Sequence, residues 1–284
     1  MTTDTGSTVP RRQLGRYLRQ LREEARMTIK AAAESLEWST PKIWRIETGA
    51  TSMRSLDVEA MCKIYRASPE LTEALMGLAK ETKGRGWWHS YGDAIPEWFE
   101  LYVGLEAAAA RLRTYEAQLV PGLLQTKAYA TRVYEVARPE MTREEIQRGV
   151  AVRLGRQALL TRLTPRAPQF DVLLDESVLR RGADTEQLQH LVTVSRQPNV
   201  SLRVVPIAVG LHLGNMTSGT FTILDFDGGT EPSIIYSDSL TGALYLDKPS
   251  EVTTYGEAWT AMEKPALTEA QSRKLIASIA EEQT

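Results

Sequence analysis

Residues 28–49, TIKAAAESLEWSTPKIWRIETG, carry the punctuation of two complete helices with almost nothing between them. Thr28 is placed to cap a first helix, IKAAAESLEW, that runs out near Leu36. Ser39 or Thr40 caps a second, Pro41 falls in its first turn where a missing N–H costs nothing, and Gly49 supplies a left-handed stop. A connection made only of Glu37 and Trp38 forces the two helices to cross steeply. Ala33, Leu36, Ile43 and Ile46 are spaced to hold them together, and the alanines permit close approach. Few folds accept so tight a helix pair. Thr40, Lys42, Trp44, Arg45 and Glu47 are left on the side of the second helix that this packing does not use.

The flanking sequence continues in the same style. RRQLGRYLRQLREEAR places Leu14, Tyr17, Leu18 and Leu21 at i, i+3, i+4, i+7, a single apolar stripe among arginines. SLDVEAMCKIYRA and SPELTEALMGLAKETKG follow as two more helices, with Ser55 and Ser68 as caps. The reading is a five-helix bundle over residues 11–82, preceded by a short disordered leader at 1–10 without the apolar core of a signal peptide.

Charge separates this head from the rest. Residues 11–54 hold ten Lys/Arg against five Glu, a local charge of +5, whereas the whole chain carries -2. A basic head on an acidic body is the asymmetry of a protein that brings one part to a polyanion. Short polar and cationic side chains on an exposed helix suit insertion into the major groove, where hydroxyls and helix N-termini meet phosphate and arginine reads guanine. Each residue also has a plainer reading: Arg45 as a surface ion pair with Glu47, Trp44 as a packing residue, Arg54 as a solvated cation.

At these residues the chain resembles the DNA-binding domain of the Xre/Cro/repressor family, whose signature closes in an Ile–Glu–x–Gly turn, here IETG. The resemblance implies that Ser39 meets phosphate, that Thr40 and Arg45 face base edges, and that Lys42 does either. Trp44 and Arg54 join this candidate surface. Two departures stand out. The family often has Gln where this chain has Ile29, and commonly has Gly where it has Glu37. Phosphate clamping by that first helix would then be weaker, or be supplied by Lys30 and an Arg11–Arg12 arm.

Three glycines and the aromatics Trp87, Trp88 and Tyr91 in KGRGWWHSYG, residues 83–92, mark a linker into a second domain, 93–284. That domain opens helically with IPEWFELYVGLEAAAARLR, TKAYATRVYEVA and TREEIQRGVAVRLGRQALLTRL. The period then falls from about four to two. QFDVLLD, NVSLRVVPI, GTFTILDFD, PSIIYSD and ALYLD read as strands, TEQLQHLVTVSRQ as an intervening helix, and roughly 250–262 and 268–282 as two closing helices. The fold class is therefore a mainly α five-helix head followed by a larger mixed α+β domain, one sheet with flanking helices. VGLHLGNMTSG, between two strands, reads as an exposed hairpin connection or as a flap over a pocket.

GWWHSYGDAIPEWFELYVGLEAAAARLRTYEAQLVPGLLQTKAYA and VLLDESVLRR are similar to the C-terminal domain of WhiJ-like bacterial regulators. The resemblance implies a small acidic partner protein encoded beside the regulator, in an antitoxin-like arrangement. Trp87, Trp88, Tyr91 and Trp98 are candidate ligand or partner anchors; the alternative is a local aromatic core.

Other classes find little support. No apolar run approaches the ~18 residues of a membrane span, and the lone Cys62 allows neither an internal disulfide nor a cysteine-rich zinc cluster. His89, His190 and His212 are isolated, and no nucleophile or phosphate-cradling motif occurs. Asp175–Glu176 reads as a helix start with acids near its positive end rather than a metal site. The expectation is a cytoplasmic, nucleoid-associated bacterial DNA-binding regulator that is not an enzyme and needs no metal or cofactor. It would act as a homodimer on double-stranded operator DNA, because one recognition helix covers only ~4–5 base pairs. The rival readings are a protein-interaction module that sequesters a partner and a small-molecule sensor.

Overall fold

A computed structural model of the chain describes residues 8–81, 97–216, 219–227, 231–239 and 242–283. The chain divides into two compact units, residues 1–90 with 103–108, and residues 91–102 with 109–284. The linker expected at 83–92 lies outside the described residues.

The first unit contains the five expected helices: α1 (Thr8–Glu24), α2 (Ile29–Ser35), α3 (Thr40–Glu47), α4 (Ser55–Tyr65) and α5 (Pro69–Glu81). Leu14, Leu18, Ala33, Ile43, Ile46 and Met61 are among the residues that close its core. The α1 stripe departs from expectation at one place. Tyr17 is 43% exposed and lies on the rim of the apolar face, not within it. Ser68 caps α5 by accepting from Leu71 N. Ser55 is already inside α4, and its hydroxyl instead donates to Met76 O, tying α4 to α5.

The second unit is built on a six-stranded sheet in the order β3-β2-β1-β4-β5-β6. The strands are β1 (Arg111–Glu116), β2 (Gln169–Asp175), β3 (Val200–Val205), β4 (Phe221–Asp225), β5 (Ile234–Ser239) and β6 (Gly242–Leu246). β1, β2 and β3 run parallel, and β4, β5 and β6 are added antiparallel on the far side of β1. The central strand was not visible in the sequence, where ARLR continued the preceding helix. That helix, α6 (Glu97–Ala108), stops at Ala108. Arg111 and Arg113 are drawn into extended backbone by acids far along the chain: Arg111 Nε reaches Asp171 at 2.6 Å and Arg113 Nε reaches Asp225 at 3.1 Å.

Tyr115, Leu173, Phe221, Ile223 and Ile235 share one sheet face and pack on Trp259 and Met262 of α12 (Pro249–Glu263). The β1–β2 crossover carries α7 (Lys127–Ala137) and α8 (Arg143–Arg156), and the β2–β3 crossover carries α9 (Glu176–Arg180) and α10 (Thr185–Val194). Thr126 caps α7, and a full capping box of Thr142 with Glu145 starts α8. Asp175 caps α9 by accepting from Ser177 N at 2.9 Å, so that acid pair starts a helix as expected. Arg203 of β3 donates to Leu267 O, Glu263 O and Ala266 O, which fixes the turn between α12 and α13 (Glu269–Glu282).

The segment 209–219 is not a hairpin connection. β3 is a sheet edge and β4 lies on the other side of β1, so the two strands are not hydrogen-bonded neighbours; the described part of the stretch includes the short α11 (Leu213–Met216). His212 is tucked in edge-on to Tyr115, with Nε2 at 3.4 Å from Asp175 Oδ2. Its ring Nδ1 accepts from Gly214 N, which leaves the Nε2 proton for Asp175.

Candidate nucleic-acid interface

The candidate interface is made by α2, the turn after it, and α3. Thr28 Oγ1 accepts from Ala31 N at 3.1 Å and starts α2; Ser39 Oγ accepts from Lys42 N at 3.3 Å and starts α3. Each cap satisfies a donor that the first turn would otherwise leave open. The turn itself puts Glu37 at φ +54°, a left-handed conformation that glycine adopts at less cost. At the far end Gly49 has φ +74° and lies against the backbone of Arg12, where a Cβ would come within 2.7 Å of Arg12 Cα.

Ile43 and Ile46 are buried, and on the other side Ser39, Thr40, Trp44 and Arg45 are exposed, Trp44 by 56%. Of the face assigned from spacing, Thr40, Trp44 and Arg45 are thus outward, and within the head Trp44 is not a packing residue. Lys30 is exposed on α2, within 4.0 Å of Glu34. Arg54 is exposed at the cap position of α4.

Lys42 is less available than its neighbours. Its ammonium lies 3.3 Å from the centre of the Trp38 ring and 3.7 Å from Asp57 Oδ1. These contacts hold the amine on the first-turn side of α3, pointing back at α4.

Two expectations are corrected. Glu47 does not belong to the outward face: its side chain is 3% exposed and receives two hydrogen bonds from Arg22, so it cannot pair with Arg45. The signal was present in the spacing, since Glu47 stands four residues after Ile43 and Arg22 four after Leu18, each in line with a core position. Arg11 and Arg12 form no arm, because both lie within α1. Arg12 is only 5% exposed and packs against Gly49, so it serves the α1–α3 contact.

Of the aromatic candidates, Trp87, Trp88 and Tyr91 lie outside the described residues, as does the side chain of Trp98. Their neighbours Phe99 and Tyr102 are described and carry the Arg156 guanidinium over their rings at 4.9 and 5.4 Å. Among the described residues no group of three or more His, Cys, Asp or Glu could hold a metal ion, and no helix is long and apolar enough to cross a membrane.

Comparison with known families fits this geometry. A helix-turn-helix domain model matches residues 13–75, and the model of a domain of unknown function, DUF5753, matches residues 99–278. No curated protein and no solved structure matches the chain. The head is accordingly a helix-turn-helix domain, and the molecule reads as a DNA-binding regulator.

Proposed function

The chain belongs to the DUF5753 family, and from that premise, with a helix-turn-helix domain at its head, we propose a sequence-specific operator-binding regulator that works as a homodimer in the bacterial cytoplasm. The head is of the Xre/Cro type and the second unit is WhiJ-like, acting as the regulatory and dimerising part. One observation carries the reading: Ser39, Thr40, Trp44 and Arg45 stand exposed on α3 opposite buried Ile43 and Ile46. In a major groove, Ser39 at the helix start meets phosphate and Thr40 and Arg45 reach base edges. Trp44 offers an apolar surface to a thymine methyl group. Lys30 and Arg54 add phosphate contacts from either side, and Lys42 does so on releasing Asp57.

Two heads on half-sites about one helical turn apart, ~34 Å, supply the sequence information that one lacks. A small acidic protein or a ligand that acts on the second unit would change that pairing and so the occupancy of the operator, in the manner of an antitoxin-like regulator.

Genomic footprinting followed by titration on a recovered site tests this. Arg45→Ala should weaken binding by about 1–3 kcal/mol and relax preference at one base position. The exposure of Trp44 also favours a second reading, a protein-binding head, because tryptophan is a frequent anchor of protein interfaces. Salt separates the two. DNA affinity falls with a logarithmic slope of about 0.9 per phosphate neutralised, whereas a Trp-anchored protein contact is nearly insensitive.

A further inference from the structure

The two edges of the sheet, β3 and β6, are finished differently. At β3 the outer backbone groups are taken up by the same chain. Val204 N donates to Ser272 Oγ of α13 at 2.9 Å, and Leu267 N donates to Val204 O at 2.8 Å. Ser201 Oγ donates to Glu269 Oε1 at 2.7 Å, and Arg203 is held by the carbonyls of the α12–α13 turn. That turn occupies the place a further strand would take at β3. β6 pairs with β5 over Gly242–Leu246, residue for residue and without a bulge. Among the described residues, none outside β5 hydrogen-bonds to the backbone of Ala243, Leu244 or Leu246.

An edge of this kind is ordinarily protected by lysine, proline, a bulge or a covering element. GALYL holds neither lysine nor proline, and none of its side chains is charged. Leu244 is 59% exposed. With Leu246 it lies on the sheet face that carries Tyr115 and Phe221. There Leu246, Val252 and Tyr255 pack on the buried core yet are themselves only partly buried. The apolar layer under α12 thus reaches the β6 edge without being closed at it.

The same observations name the occupant. A second copy of this chain can offer a sheet edge at β3 or at β6, and the first is taken. β6 against β6 remains, and it closes: a two-fold axis perpendicular to the sheet pairs a strand antiparallel with its own copy and uses up the edge on both sides. Charge suits this arrangement. Asp247 and Lys248 follow the strand at one end only. Antiparallel pairing sends the two copies of each to opposite ends of the interface, whereas parallel pairing would set like against like. We propose that β6 pairs antiparallel with β6 of a second copy, so that the two sheets run on as one and Leu244 is covered by the partner's apolar edge. The inference rests on the homodimer reading above and gives it an interface.

Sedimentation equilibrium of the full chain, joined to cysteine cross-linking, tests it. The parent should be a dimer at micromolar concentration. Leu244→Lys should raise the dimer dissociation constant at least about tenfold. Its melting temperature should also lose the dependence on protein concentration that a dimer shows. The exchange is at an exposed side chain, so the circular dichroism of the variant should match the parent. Ala243→Cys, Leu244→Cys, Tyr245→Cys and Leu246→Cys locate the axis, and Cys62 is buried and does not compete. Equivalent residues at the axis have Cα atoms about 4.5–5.5 Å apart, within disulfide range, and each step along the strand separates a pair by a further ~7 Å. One of the four should therefore cross-link in high yield under mild oxidation. Leu163→Cys, 91% exposed in the connection before β2, should not. A dimer that persists in Leu244→Lys, or that cross-links at none of the four positions, would overturn the β6 interface and leave the homodimer reading standing. A monomeric parent, or one whose β6 is covered only by a different protein, would overturn both.

Discussion

Arg22 and Glu47 close a two-bond fork inside the head, Nε to Oε1 at 2.7 Å and Nη2 to Oε2 at 2.9 Å, and so bind the last turn of α1 to the last turn of α3. The third arm of the guanidinium, Nη1, donates to Met27 O at 2.9 Å, which fixes the turn before α2 as well. One buried cation therefore sets the position of both helices of the motif. The hydrogen bonds that Arg22 donates to Glu47 raise its guanidinium further above an already high value, so it stays charged.

Breaking this pair should be costly and replacing it should not. Arg22→Met or Glu47→Leu alone leaves one charge buried without a partner and should destabilise the head by about 3–5 kcal/mol. The double variant should recover most of that loss. Urea denaturation of all four proteins completes the cycle, and additive single effects would show that the fork is not what couples the two residues.

Gly15 marks the closest passage of α1 over α3. A Cβ there would stand 2.5 Å from Ile46 O and 2.8 Å from Glu47 O, backbone atoms that cannot swing aside. Gly15→Ala should cost about 1–3 kcal/mol of stability and weaken DNA binding by shifting α3. Gly77, within α5, has nothing within 4 Å of such a Cβ. Gly77→Ala should stabilise by up to about 1 kcal/mol through helix propensity. Thermal melts that rank the two variants the other way round would contradict the packing described.

Glu37 occupies a left-handed position without the freedom of glycine. Glu37→Gly should raise stability by about 1 kcal/mol while leaving α3 and its exposed face in place. Chemical denaturation measures the gain, and unchanged affinity for operator DNA checks the second half.

Glu116 predicts a pH dependence with a definite sign. Its folded carboxyl holds a proton up to about 8, whereas in the unfolded chain it releases it near 4.5. Folding takes up a proton between those values, so this group's contribution falls as pH rises from about 4.5 to about 8 and is level outside that window. The charges facing it are Asp238 from β5 and Arg153 from α8, and Tyr115 and Tyr129 lie within its field. The difference in stability between the parent and Glu116→Gln should widen across that range in favour of the variant. A constant difference would place the carboxyl in the ordinary range.

The head was legible because its signals are local. A capping serine, a first-turn proline, a closing glycine and aliphatic residues three and four apart act within one or two turns, so α1 to α5 and the outward face of Thr40 and Arg45 could be read from spacing. The five later strands and the closing helices were legible for the same reason. β1 was not: RLRTYE between an alanine-rich helix and VPG has no strong period, and it becomes a strand only because β2 and β4, brought from 60 and 112 residues away, line both its edges and pair its arginines. Glu47 and Arg12 were misassigned for a related reason. On short helices a charged residue beside a core position can turn inward or outward, and only a partner from another helix, Arg22 for one and the Gly49 backbone for the other, decides which. Local chemistry thus determined which segments fold and into what; contacts between residues distant in the chain, whose energies no single segment contains, decided which charges were drawn inside and brought Glu116 and Asp238 to one end of the sheet.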